Sequence, residues 1–359
     1  MTSTTPLIPP AVEDVSPEWL TAALRETGAI SADARVINVR TEQIALDTGF
    51  SSLLYRLHLT GVDVPASVIV KLPAVSEARG AMEMLGGYLR EVAFYQNIAG
   101  RAPIRTPRVH AARIDPDTSN FILVLEDLHH WDNADHLAGL SLRRARRAIA
   151  ELAKLHSWSS EPANHDAVAP FASLDTEVTR QVLPSVFALG WGVYTQKTTQ
   201  AVPDDIAAYA DRFAELAPDA LCALTERSML IHGDIRADNM FFDGDDLKIV
   251  DFQLAARATG VVDVAYLVSQ GLPTNLRSGR DEALLREYLD ILSRSAIGDY
   301  GFAEAWRHYR FAVAYLVVLP VVILVGWDTL PQRSRDLCIT LADRAVATMA
   351  DIGAVGVFA

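Results

Sequence analysis

The chain has 359 residues, half of them hydrophobic and 21% charged, with a formal net charge of −13 at neutral pH. This is the composition of a folded globular protein long enough for two cores, and its acidity argues against nucleic acid or an anionic membrane surface as a partner. The only cysteines, Cys222 and Cys338, lie far apart in helical stretches, so reduced thiols in a cytoplasmic protein are expected and a disulfide framework is not.

Met1–Pro10 is rich in Thr and Pro and lacks the basic start and apolar run of a signal peptide, which predicts a loose tail over 1–12. A helix is expected over Pro17–Thr27, then strands near 36–46, 52–60 and 67–72, a helix near 80–99, and strands near 108–114 and 121–126. Together these make a small antiparallel sheet with a packed helix. Thr48-Gly49-Phe50-Ser51-Ser52 joins two of the strands. Its small residues Gly49, Ser51 and Ser52 would let backbone N–H groups approach phosphates, although an ordinary hairpin reads the same way. Ser67-Val68-Ile69-Val70-Lys71-Leu72 sets one charge in an apolar strand, a costly arrangement unless the lysine is paired. Glu91 is the chosen partner over Glu83 and Glu77, because Leu89, Val92, Phe94 and Tyr95 make its helix the one to pack on the sheet.

From Ser141 the pattern turns helical, with Leu142, Ala145, Ile149, Leu152 and His156 recurring every three or four residues. Arg143, Arg144, Arg146 and Arg147 share the remaining face, which reads as solvated. Trp158, Phe187, Trp191 and Tyr194 have spacings that more often fill cores than line pockets. The loop His129–His136 has metal-ligand residue types without a regular ligand spacing. Phe311–Trp327 is apolar throughout but short for a membrane span and divided by Pro320, so a kinked, buried helix is expected.

The richest stretch is His232-Gly233-Asp234-Ile235-Arg236-Ala237-Asp238-Asn239, followed by an apolar hairpin around Asp243-Gly244-Asp245-Asp246 and then Asp251-Phe252-Gln253. In kinase-type phosphoryl transfer one Asp orients and deprotonates the acceptor hydroxyl. An Asn five positions on and an Asp after the next hairpin hold the metal ions. Asp234, Asn239 and Asp251 fall at that spacing. His232 and His156 read as braces for this loop, Asp263 as structural support at the start of a helix, and Asp238 as facing outward.

With Lys71, Glu91, His232-Gly233-Asp234, Asn239 and Asp251, the chain resembles the aminoglycoside phosphotransferase and choline kinase superfamily of small-molecule kinases. Asp251-Phe252-Gln253, Ser16-Pro17-Glu18-Trp19-Leu20 and Arg90–Tyr95 are most similar to the ecdysteroid kinase-like branch. The resemblance implies an α+β, bilobal protein-kinase-like fold, with a nucleotide-binding lobe over 1–127 and a mainly helical catalytic lobe over 128–359. It implies ATP and Mg²⁺, with Asp234 as catalytic base, Asn239 and Asp251 on the metal, and Lys71 on the phosphates held by Glu91. Phe121–Leu128 would be the hinge, with backbone groups around Glu126–Leu128 on the adenine edge and Ile69 and Val124 as its apolar walls. Gln253 stands where a protein kinase has the Gly of Asp-Phe-Gly, which puts any regulated flipping of this loop in doubt.

The same resemblance places the acceptor cleft in about 159–203 and in the helices beyond 271. The expected partner is a small-molecule alcohol of apolar character, with an aminoglycoside or other amino-alcohol as the alternative, no membrane span, and a homodimer left open. An inactive nucleotide-binding module and a protein kinase are the competing classes. The intact set of Lys71, Asp234, Asn239 and Asp251 disfavours the first. The short stretch from Asp251 to Asp263 disfavours the second.

Overall fold

The computed structural model describes residues 8–45, 52–74, 78–294 and 299–359. The fold is mixed α+β and divides into two compact units, Met1–Arg101 with Thr106–Trp131, and Ala102–Arg105 with Asp132–Ala359.

The first unit is an antiparallel five-stranded sheet in the order β1-β2-β3-β5-β4. Its strands are β1 (Arg35–Ile44), β2 (Ser52–Val62), β3 (Ser67–Pro73), β4 (Val109–Ile114) and β5 (Phe121–Glu126). Ahead of them, α1 (Pro17–Glu26) begins at Ser16, whose hydroxyl accepts the Trp19 N–H at 3.2 Å, with Pro17 supplying a preset φ at the first turn. Leu20, Ala23 and Leu24 recur on one side of α1 and pack with Val68, Val70 and Val124 on one face of the sheet. The loose tail is shorter than expected, because Ile8 packs against this core and Val12 is buried in it.

The helix expected near 80–99 is two helices, α2 (Ala78–Met84) and α3 (Gly87–Asn97). Gly86 adopts φ 67°, a left-handed conformation that ends one helix before the next begins. On the opposite face of the sheet from α1, α3 sets the Tyr88 ring 4.8 Å from that of Phe121.

The second unit is mostly helical. In chain order it contains β6 (Asp132–Asn133), α4 (Leu142–Ser160), α5 (His165–Val168), α6 (Leu183–Lys197), α7 (Asp204–Asp211) and α8 (Phe213–Leu224). Then come β7 (Met229–Ile231), β8 (Met240–Asp243), β9 (Asp246–Ile249), β10 (Ala256–Ala258), α9 (Val261–Ser269), α10 (Thr274–Arg277), α11 (Asp281–Leu292), α12 (Phe302–Leu316), α13 (Val318–Ile323) and α14 (Gln332–Asp351). Every residue of α9 is buried, packed among α4, α11 and α12.

The apolar stretch around 311–327 breaks where Pro320 requires it. Proline has no N–H to give the Leu316 carbonyl, and the buried Gln270 side chain donates to that oxygen instead, at 3.0 Å. Phe302–Gly326 is long and apolar enough to cross a membrane by composition, yet 67% of its most apolar window is buried within this fold. Phe187, Trp191 and Tyr194 of α6 fill the core, with the Phe187 and Phe213 rings stacked 4.0 Å apart. The four arginines of α4 each face a carboxylate: Asp245 for Arg143, Asp132 for Arg144, Glu287 for Arg146 and Glu151 for Arg147.

Candidate active site

In the second unit the buried strand β7 leads directly into His232-Gly233-Asp234. Only glycine fits the middle position, since φ is 81° and a Cβ would stand 2.2 Å from the Leu254 carbonyl oxygen. The turn is then tied down from beneath. The fully buried Asp263 of α9 accepts the His232 N–H on Oδ2 at 2.7 Å and the Gly233 N–H on Oδ1 at 2.9 Å. His156 Nε2 lies 3.1 Å from the same Oδ2, and Tyr288 holds the far side of that ring, its hydroxyl 2.9 Å from Nδ1. His232 Nδ1 accepts the Asp234 N–H at 3.1 Å, so Nε2 carries the proton and donates to the Val250 carbonyl at 3.0 Å. Both histidines brace the loop, as the sequence suggested.

Asp234 is half-buried and its carboxylate has two donors. Arg236 Nε lies 3.0 Å from Oδ1 and 3.1 Å from Oδ2, and the Tyr266 hydroxyl donates to Oδ1 at 3.2 Å. Burial works against the charge on Arg236, but the neighbouring Asp234 outweighs it and holds the guanidinium pKa above its usual value. Burial, helped by the same carboxylate, pushes the Tyr266 phenol well above its ordinary range, so it stays a donor. The chain then makes a 3₁₀ turn over Ala237–Asn239 that brings Asn239 Nδ2 to the Asp234 carbonyl at 2.9 Å. With its nitrogen so engaged, the amide presents Oδ1 as an acceptor.

The β8–β9 hairpin has a two-residue loop with Gly244 at φ 57°. The Val250 N–H donates to the Asn239 carbonyl at 3.0 Å, so the hairpin's open end holds Asn239 and Asp251 in one register. Asp251 takes φ 69°, a left-handed conformation uncommon for a residue with a side chain, and such strain is found most often at functional sites. An amide oxygen and a carboxylate set at the two ends of one hairpin are hard oxygen donors, the type that suits Mg²⁺.

One residue differs from expectation here. Asp238 does not face outward: it is half-buried and accepts the His136 backbone N–H at 2.9 Å. His136 Nδ1 in turn accepts the Ala237 N–H at 2.9 Å, so this buried imidazole, its pKa held well below the usual value by burial, fastens the loop from residues 132–140.

In the first unit Lys71 and Glu91 form a buried pair, Nζ 2.7 Å from Oε1, with side chains 6% and 1% exposed. Glu83 is engaged by Arg79 at 2.7 Å, while Glu77 lies outside the described residues. Gly49 and Ser51 also lie outside the described residues, and Ser52 is a buried member of β2. The register sets Ile69 and Lys71 opposite Leu125 and Leu123, so those four share a face. Val124, expected beside Ile69 as an adenine wall, points instead into the core under α1, and Leu123 and Leu125 occupy the side assigned to it. The Glu126 N–H is committed to the Arg108 carbonyl at 2.9 Å, which removes it from the groups expected to meet an adenine. Leu128 is buried, and its carbonyl accepts the Trp131 N–H at 2.8 Å.

Arg236, Tyr266 and His136 escaped the sequence reading. Tyr266 had a signal, since it lies three residues after Asp263 on a predicted helix and so shares its face. Arg236 sits two positions after Asp234 and was visible, though its reach back to that carboxylate was not.

Residues 48–297 match the ecdysteroid kinase-like family. No curated protein matches the sequence. Among solved structures, a choline/ethanolamine kinase family protein from Mesorhizobium loti superposes with a TM-score of 0.50 at 17% identity, covering 88% of this chain and 92% of that one. Choline kinase from Cryptosporidium parvum Iowa II gives 0.55 at 11% identity, covering 94% and 98%. The GDP complex of wild-type aminoglycoside 2′-phosphotransferase-IIIa gives 0.53 at 15% identity, covering 93% and 99%. Likeness at these identities speaks to fold.

Proposed function

Because the chain belongs to the ecdysteroid kinase-like family and is a small-molecule kinase, we propose that it moves the γ-phosphate of ATP to a hydroxyl of a small, largely apolar alcohol. The observation that carries this reading is the loop–hairpin unit in which Asp234, Asn239 and Asp251 are fixed relative to one another by Asp263, His232 and the Val250 N–H. Asp234 accepts the proton of the acceptor hydroxyl while the acceptor oxygen bonds to the γ-phosphorus and the bond to ADP breaks. Asn239 Oδ1 and the Asp251 carboxylate would hold Mg²⁺, which when bound neutralises phosphate charge. Lys71, kept in place by Glu91, bonds the α- and β-phosphates.

Two observations support an apolar acceptor. The family is named for steroid kinases, and the large hydrophobic residues exposed in the second unit include Val182, Leu189, Ile323 and Val325 on or beside α6 and α13. The test is ADP release from Mg·ATP, and from Mg·GTP in parallel, against matched panels of sterols, terpenoid alcohols, macrolides and aminoglycosides. Turnover led by a sterol or terpenoid alcohol with ATP is expected. Turnover confined to aminoglycosides would overturn the acceptor class, and a GTP preference would overturn the nucleotide.

A further inference from the structure

Helix α9 offers the catalytic loop two side chains. Asp263 and Tyr266, three residues apart, share a face. Asp263 accepts the loop's backbone N–H groups, and Tyr266 donates its hydroxyl to Asp234 Oδ1 at 3.2 Å. The other donor on this carboxylate, Arg236, belongs to the loop itself. Among the described residues Tyr266 is therefore the one side chain outside the loop that donates to the Asp234 carboxylate.

The difference is mechanical. Arg236 moves with the loop and can hold the carboxylate only relative to the loop. Tyr266 is 3% exposed on a helix buried along its whole length, so it holds the carboxylate relative to the core. Arg236 Nε straddles the two carboxylate oxygens while Tyr266 donates to Oδ1 alone, so the group is held by two anchors of different origin and Tyr266 distinguishes one oxygen from the other. The phenol, kept protonated by burial, is the donor toward this carboxylate.

We propose that Tyr266 is a positioning residue for phosphoryl transfer, its hydroxyl fixing the rotation of the Asp234 carboxylate toward the acceptor hydroxyl. This rests on Asp234 being the base. Its expected effect lies in the chemical step, because misplacing a reacting group by about 1 Å can cost on the order of 10²-fold in rate, and Arg236 retains part of the alignment.

Two measurements test this. In ADP release from Mg·ATP, with water and with the four alcohol panels as acceptors, Tyr266→Phe should lower kcat about tenfold and leave KM for Mg·ATP and the thermal midpoint unchanged. In an Asp234→Asn background the same substitution should cause no further loss, because the two residues act as one unit. 4-Fluorophenylalanine at 266 fills the hydroxyl's space without donating and should match Phe, which covers the case in which Tyr266→Phe folds poorly. 4-Aminophenylalanine, which restores a donor, should recover much of the rate. Separately, the ¹⁹F resonance of 3-fluorotyrosine placed at 266 should shift on Asp234→Ala. An unmoved resonance, or a kcat for Tyr266→Phe within about twofold of wild type, overturns the proposal. Retained turnover in Asp234→Asn alone would instead overturn the base assignment, with the fluorine result still standing.

Discussion

Asp234 is the residue on which the proposed chemistry turns. Asp234→Asn keeps the shape and removes the charge that accepts a proton, so kcat should fall by roughly 10²–10⁴-fold with Mg·ATP affinity retained. Steady-state kinetics paired with calorimetric nucleotide binding checks both halves, and a near-normal kcat would show that another group is the base. Lys71 and Glu91 invite a different experiment. Removing one partner of a buried pair typically costs about 3–5 kcal/mol, whereas removing both costs less than the sum. Lys71→Met, Glu91→Gln and the double variant, compared by urea unfolding, should show that shortfall; strict additivity would mean that the pair is not coupled.

His110 gives the first unit a pH dependence. Burial first, and then the nearby Arg108, bring its pKa down from 6.5 to about 4, despite an opposing pull from Glu126. Below pH 6.5 the unfolded chain therefore takes up a proton that the folded chain refuses until pH about 4. Stability is fully present above pH 6.5 and should decline by up to about 3 kcal/mol as pH falls through that window. His110→Leu should flatten the decline in chemical denaturation at a series of pH values. An unchanged slope would exclude this histidine as its cause.

At the scale of elements, α6 and α13 meet at Gly190, where a Cβ would stand 2.1 Å from the Val321 carbonyl oxygen. Two turns of helix can approach so closely only because there is no side chain between them. Gly190→Ala should destabilise by about 1–3 kcal/mol or more through backbone displacement. Gly192→Ala, with nothing within 4 Å of its added Cβ, should stabilise by about 0.5–1 kcal/mol through helix propensity alone. Opposite signs in the two urea midpoints are the expected result, and equal signs would show that the helix crossing yields.

Elements also show what a single sequence reveals. The alternation and turn residues around Met229–Ile249 made the hairpin between Asn239 and Asp251 legible, since an Asp-Gly turn between two apolar runs has few other readings. The face of Val124 was not legible. Phe121–Leu125 is apolar at every position and buried at every position, so the period-2 signal that tells one face from the other is erased. Only its pairing with β3, where Lys71 marks one face, resolves the parity. Asp238 failed for another reason: the N–H that meets it belongs to His136, 102 residues earlier, and no local pattern carries that information. The break at Gly86 was within reach, because a glycine inside a helical run is a standing invitation to stop it.

For the molecule as a whole, ligand binding is linked to folding. A nucleotide that binds only the native state raises its stability by about 2.7 kcal/mol at one hundred times Kd. Mg²⁺ with a non-hydrolysable ATP analogue should therefore raise the thermal midpoint of the wild type. In Asp251→Ala the Mg²⁺-dependent part of that rise should vanish while the metal-free part remains. An equal response in the two proteins would remove Asp251 from the metal site. The net charge of −13 would attract a cationic acceptor at long range, but it says little about a single cleft.

Since α9 is buried along its whole length, nearly every substitution there disturbs packing, whereas exposed positions such as Leu189 and Val325 change at about ±0.5 kcal/mol. The support for the Asp234 loop thus lies on a helix that tolerates little change, while large exposed apolar residues of the second unit lie on surfaces that tolerate more. Under the proposed acceptor reading, a lineage can explore new acceptors by drift at the second set without revising the first, and a mutational library confined to the exposed positions of α6 and α13 should return folded, transfer-competent variants far more often than one aimed at α9.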